Sequence, residues 1–302
     1  MSELTQRVIV SVVAAPVALW IVLAGGAPLA ALLAMVCAIG AWEFFRLARK
    51  SGARPLDDVG IALAGLVPLA IHAHYIGVFT VRPALVAVIV LLMLGATIWL
   101  RGVDGHPLGA AATTILGVVY TAGMLGFAYA IRYHDSVAGY DVVGAKRIAF
   151  GAFTASVAPG GMLLVFPIFV TWASDIGAFF VGRTIGGRKL IPSVSPGKTV
   201  SGAIGGLVSS MVVAYVFARS ILVPTAHLGF SPWGALTFGL VISVAAQTGD
   251  LFESLLKRES GVKDSSRIIP GHGGILDRFD SLIFVLPVAY LLIGWLALPV
   301  FA

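Results

Sequence analysis

Apolar residues run along this chain in stretches long enough to cross a bilayer, parted by short polar breaks. A membrane-crossing helix needs about 20 largely apolar residues. On that measure the pattern predicts nine spans, at 8–23, 27–45, 59–79, 84–100, 110–131, 161–181, 201–223, 233–256 and 281–300. The predicted fold is therefore all-α and polytopic. A Gly25-Gly26-Ala27-Pro28 turn joins the first two spans, and residues 101–107 join the fourth and fifth. The longest break, 132–160, is polar at first and ends in Ala158-Pro159-Gly160-Gly161. A short interfacial helix is one structure it can hold. The breaks divide the chain into a five-helix region (1–131), an insert (132–160) and a four-helix region (161–302) expected to carry the chemistry.

Composition agrees with this pattern. Of 302 residues, 59% are hydrophobic and 11% charged, where soluble domains carry about 25% charged residues. Arg7 followed by an apolar run resembles a signal peptide, but a second apolar run starts at once, so the first reads as a span. The single cysteine, Cys37, excludes an internal disulfide and a cysteine-based zinc site.

The net charge of +6 is spread over short loops, which suits topology and anionic ligands better than nucleic acid. With alternating sides, fifteen of the 20 Lys and Arg fall on the side of the N-terminus. The positive-inside rule then predicts a cytoplasmic N-terminus and an external C-terminus. The loops before residue 201 and after residue 256 would both face the cytoplasm, where nucleotides are.

Acidic residues inside spans narrow the chemistry. Asp175 lies in the sixth apolar segment and Asp250 in the eighth. An intramembrane carboxylate costs about 2.5–3.5 kcal/mol on insertion scales, so it has a partner or a function. Asp250, Glu253 and Lys257 share one helical face by their spacing. An internal ion pair that stitches helices is the plain alternative for both aspartates. His72 and His74 are two apart and make a poor metal pair, and no G-x-S-x-G elbow marks a hydrolase. Gly197-Lys198-Thr199 resembles the end of a P-loop, but Pro192 stands where its first glycine belongs. Gly202 and Gly206 form a small-xxx-small pair that predicts close helix packing.

The most polar stretch, 254–280, returns to the membrane around a Pro270-Gly271-His272-Gly273-Gly274 turn. It carries Lys257, Arg258, Lys263, Asp264, Arg267, Asp277, Arg278 and Asp280. Cations neutralise phosphate oxygens, glycines admit close backbone N–H approach, and carboxylates hold Mg²⁺. A topology loop needs only cations.

This stretch resembles the signature of the phosphatidate cytidylyltransferases, the CDP-diacylglycerol synthases of membranes. Ser254, Lys257, Arg258, Lys263, Asp264, Pro270, His272, Gly273, Gly274, Asp277, Arg278 and Asp280 fill its named positions. The run 193–202 is similar to that family's Ser-Pro-x-Lys-Thr-x-Glu-Gly motif, through Ser195, Pro196, Lys198, Thr199 and Gly202, with Ser201 in place of the Glu. The likeness is sharpest from about Trp172 to Asp280; over the first 150 residues it amounts to hydropathy.

The resemblance implies transfer of CMP from CTP to phosphatidate. It implies Mg²⁺ on Asp250 and Asp277, with room for a second, monovalent cation, and a homodimer in a bacterial-type inner membrane. Lys198, Lys257, Arg258, Lys263 and Arg278 would bind phosphates, with Ser195, Thr199, Gly273 and Gly274 around the substrates. Asp264, His272 and Asp280 would orient the phosphates or the cytosine. Asp175 would stand behind these or on the lipid side, and a polar pocket is expected between the sixth, eighth and ninth spans. Alternatives are a CTP-dependent polyprenol or phytol kinase, and an ion-coupled transporter using Asp175 and Asp250.

Overall fold

The computed structural model describes residues 3–137, 146–150, 153–269, 271 and 273–300. The helices are α1 (Glu3–Ala24), α2 (Gly26–Lys50), α3 (Asp57–Tyr75), α4 (Pro83–Leu100), α5 (Pro107–Val118), α6 (Phe127–Arg132), α7 (Pro159–Ile185), α8 (Val200–Phe217), α9 (Val223–Ala226), α10 (Pro232–Glu259) and α11 (Leu276–Leu296). Wider π-helical turns, Val119–Gly123 and Ala218–Leu222, carry the chain from α5 towards α6 and from α8 into α9. The strands pair only two by two among the described residues: β1 (Lys146–Phe150) with β2 (Phe153–Val157), β3 (Lys189–Ile191) with β4 (Ser195–Thr199), and β5 (Leu228–Phe230) with β6 (Ala297–Pro299).

Eight helical stretches among the described residues are long and apolar enough to cross a membrane, from Gly26–Lys50 to Leu276–Leu296. The 22-residue α1 covers the first predicted span, with a shorter apolar stretch, Ala14–Ala24. The chain is an all-α, multi-pass membrane protein, as its hydropathy predicts.

Three boundaries differ from the pattern. Among the described residues the insert holds the antiparallel pair β1–β2, with Lys146 opposite Val157, where a short helix was one expectation. Helix α11 starts at Leu276, five residues before its predicted span, because carboxylates accept its first N–H groups (below). It ends at Leu296, where β6 leaves to pair with β5.

The chain divides into two compact units. Unit 1 comprises Met1–Pro16, Gly26–Tyr129 and Leu255–Phe279. In it α2 packs on α3 and α5, and the fully buried Phe45 ring lies where Gly60 and Gly117 leave no room for a Cβ. Unit 2 comprises Val17–Gly25, Ala130–Ser254 and Asp280–Ala302. There Phe166 stacks on Phe238 with ring centroids 4.4 Å apart, beside Phe217 and Phe230. Helices α7 and α8 meet along a seam that includes Gly177, Gly182, Gly202, Gly205 and Gly206. A Cβ on Gly202 would stand 2.8 Å from the Ala178 carbonyl oxygen, so the two backbones approach closely, as small residues allow.

Candidate active site

The candidate residues form two polar clusters, one in each unit. In unit 2 the β3–β4 hairpin delivers Lys198. Its strands pair Lys189 with Thr199 and Ile191 with Ser195, and Val200 donates its N–H to the Arg188 carbonyl at 2.9 Å. Thr199 then starts α8: its hydroxyl accepts the Gly202 N–H at 3.1 Å, satisfying a donor that a helix start leaves open. Ser201 donates its hydroxyl to the carbonyl of Gly186, the residue with φ +66° that ends α7, and lies 3.1 Å from the Thr199 hydroxyl. Where the family pattern has Glu, this chain therefore ties the end of α7 to the start of α8.

Held this way, the Lys198 ammonium sits 2.6 Å from Oδ2 of Asp250 on α10. Both side chains keep contact with solvent, 26% and 37% exposed, so the pair can open for a ligand. The other oxygen of Asp250 accepts from Ser254 at 3.5 Å. The pair borders a pocket of about 580 Å³ with Asp175, Arg183, Gln247 and Thr199 on its polar side, and Ala178, Phe179 and Leu190 on its apolar side. Gln247 is fixed by bonds from its amide to the Ala203 carbonyl (3.2 Å) and the Ser243 hydroxyl (3.0 Å). The pocket is lined by α7, α8, α10 and the hairpin. The ninth span, α11, expected from the sequence to line it, contributes no lining residue; α8, packed on α7 along the glycine seam, does.

In unit 1 the polar stretch folds around two carboxylates. Asp277, on the first turn of α11, accepts from the Lys257 ammonium at 2.7 Å on Oδ1. Its Oδ2 accepts from the Ser265 N–H (3.0 Å), the Ser265 hydroxyl (2.8 Å) and the Gly274 N–H (2.8 Å). Both ends of the Lys257–Asp277 pair are nearly buried, at 12% and 8% exposed.

Glu43, on α2 and fully buried, was not among the sequence candidates. It accepts from the N–H groups of Ile275 (3.0 Å) and Leu276 (2.6 Å), from the Ser265 hydroxyl (3.1 Å), and from the Ser266 hydroxyl. An anion is favoured at a helix start, where N–H groups point outwards. Gly274 has no room for a Cβ between Ser265 and Glu43, and Gly273 adopts φ +84° with Oδ2 of Asp277 2.9 Å from where a Cβ would stand. The paired glycines thus admit the protein's own carboxylates to the turn.

The remaining candidates are dispersed. Lys263, Asp264 and Arg278 are exposed. Arg258, also exposed, donates to the Val262 carbonyl at 3.3 Å. Asp280, in unit 2, accepts the Ser281 N–H at 2.6 Å. Ser195 lies on β4, and His272 lies outside the described residues. Among the described residues no group of three or more His, Cys, Asp or Glu could hold a metal.

A family model described as the cytidylyltransferase family matches residues 5–296. The chain belongs to this family. Its resemblance extends through the N-terminal region, where the sequence motifs gave only hydropathy. This cytidylyltransferase-family chain is 33% identical over 297 residues to the phosphatidate cytidylyltransferase of Bacillus subtilis (strain 168), covering 97% of this chain and 99% of that one. It is 38% identical over 218 residues to the protein of the same name from Staphylococcus haemolyticus, covering 72% and 78%. With that of Haemophilus influenzae it shares 43% over 149 residues, covering 48% and 50%.

Proposed function

We propose that the chain transfers CMP from CTP to phosphatidate, giving CDP-diacylglycerol and pyrophosphate. The observation that carries this is the end-to-end similarity to the Bacillus subtilis phosphatidate cytidylyltransferase. The similarities do not favour the kinase or transporter alternatives. A phosphatidate oxygen bonds to the α-phosphorus of CTP. The bond from that phosphorus to the α–β bridging oxygen breaks, and its electron pair leaves with pyrophosphate. The nucleophile is already an anion, so no strong base is needed. Charge repulsion and positioning make the barrier, and fixed cations lower it.

In this reading Lys198 leaves Asp250 to hold a phosphate oxygen. The pocket's apolar wall accepts lipid or base, and the exposed Arg258, Lys263 and Arg278 gather phosphates. Asp264, His272 and Asp280 orient the substrates. Lys257 binds phosphate when released from Asp277, with Ser195, Thr199, Gly273 and Gly274 shaping the surroundings. Asp175 stands on the pocket wall.

Mg²⁺ fits the donor set at Asp250, a hard, part-exposed carboxylate beside Asp175. Mg²⁺ is usually held by one or two carboxylates, with phosphates and water completing the shell. Asp277, the other carboxylate that the motif assigns to Mg²⁺, would offer Oδ1 to a cation on giving up Lys257. Bound Mg²⁺ would supply positive charge against the repulsion between phosphates. A second, monovalent cation is compatible with this reading. We further place the protein as a homodimer in the inner membrane, with the site facing the cytoplasm.

The deciding experiment supplies phosphatidate and CTP to the purified protein in detergent, with and without Mg²⁺. Label in cytidine should enter the lipid. Entry of the γ-phosphate alone would indicate a kinase, and entry of neither would overturn both enzyme readings.

A further inference from the structure

Glu43 has no part in the roles above, yet it is bonded as fully as Asp277. Its donors are two hydroxyls and two backbone N–H groups. Neutral donors in a fixed array hold a carboxylate in place without cancelling its charge. One side chain from α2 therefore sets both the turn at Ser265 and Ser266 and the first turn of α11.

The link from Glu43 to Asp277 is one hydroxyl. Ser265 Oγ lies 2.8 Å from Oδ2 of Asp277 and 3.1 Å from Oε2 of Glu43. It has a single hydrogen, so the two carboxylates compete for one donor. Asp277 is held in addition by the N–H groups of Ser265 and Gly274, which border the same turn. Moving Glu43 moves the frame that aims Asp277, and Asp277 in turn holds Lys257.

We infer that Glu43 is a positioning residue for the reaction: through Ser265 and the first turn of α11 it fixes the Asp277 carboxylate for turnover. Its catalytic side rests on the phosphatidate cytidylyltransferase reading. Glu43→Gln preserves shape but replaces one acceptor oxygen with an N–H donor. The hydroxyls of Ser265 and Ser266 can rotate to accept from it; a backbone N–H cannot. Either the Ile275 or the Leu276 N–H then meets another donor, and the first turn of α11 shifts.

Two readouts on the full chain in detergent test this. Backbone hydrogen exchange at Ser265 and Gly274, whose N–H groups bond to Asp277 and not to Glu43, should quicken at least tenfold in Glu43→Gln. A residue that only stitches α2 to α11 would change exchange at Ile275 and Leu276 alone, and that result would overturn the inference. The kcat per folded molecule, measured well below the thermal midpoint, should fall at least tenfold with KM for CTP within threefold. Adding Ser265→Ala to Glu43→Gln should lower it no further. A lowered midpoint with full kcat, or effects that multiply in the double variant, would overturn the inference. Glu43→Asp, with the charge on a shorter arm, should fall between wild type and Glu43→Gln. It decides the case if Glu43→Gln does not purify, and wild-type kcat and exchange in it would overturn the inference. A wild type that makes no CDP-diacylglycerol would overturn the reading of the reaction, and the exchange readout would still judge Glu43.

Discussion

Replacing Lys198 with Ala separates function from stability. In the resting protein its ammonium pairs with Asp250 at 2.6 Å, with both partners part-exposed. Exposed pairs of this kind contribute about 0–1 kcal/mol, so Lys198→Ala should lower the thermal midpoint by only a few degrees. Thr199 still caps α8 and the hairpin keeps its pairing, so the local fold has no reason to fail. Function should respond differently. The proposed bond from Lys198 to a CTP phosphate is charge-assisted, worth about 1.5–3 kcal/mol. At about 1.4 kcal/mol per factor of ten, kcat/KM for CTP should fall about 10- to 150-fold. The bare Asp250 would then face the incoming phosphates, which favours the upper part of that range. The assay is initial-rate CDP-diacylglycerol formation over a CTP series, with thermal unfolding of the same preparation. A kcat/KM within threefold of wild type would refute the phosphate role. A midpoint lower by more than about ten degrees would show the pair to be structural.

Asp250→Asn and Asp277→Asn should each reduce turnover by orders of magnitude; near-normal activity at saturating Mg²⁺ in either contradicts this. Only Asp277→Asn should also lower the thermal midpoint clearly, because Asp277 holds Lys257, Ser265 and Gly274. Ser201→Glu restores the family's carboxylate but gives up the bond to the Gly186 carbonyl. Activity should stay within about tenfold, with a lower midpoint; complete loss in folded protein would show that the motif is misaligned. A topology reporter after Ala302 should read the outside and one within 260–266 the cytoplasm; equal signals would break the nine-span count.

Nearly every helix was visible in the sequence because hydropathy reports burial in lipid directly. Asp175 and Asp250 are visible for the converse reason, that charge stands out in apolar surroundings, and Lys198 through its motif; one pocket in unit 2 brings the three together. Helix α11 was read five residues short because its first turn is polar, and that turn exists only through Glu43 and Asp277, which hydropathy scores against a span. Glu43 itself was masked by its neighbours. It sits just ahead of Arg46, Arg49 and Lys50, at the edge of the predicted span 27–45. The rule applied to Asp175 and Asp250, that a carboxylate within an apolar run has a partner, would have found it. The β3–β4 and β5–β6 pairs are too short to show alternation, and β5–β6 joins residues about 70 apart along the chain.

The bonds of Glu43 impose an order on assembly. Its partners lie 222 to 233 residues further along the chain. At typical synthesis rates of 5–20 residues per second, those residues follow Glu43 by roughly 10 to 45 seconds. Throughout that interval α2 has left the ribosome with an anion whose final ligands do not yet exist. Such a charge is tolerated at a water-facing helix end and penalised deep in lipid, so nascent α2 has reason to ride high until α11 arrives. Closure of this cluster is thus a late event in biogenesis, and chains released before residue 265 should be recognised as unfinished by membrane proteases.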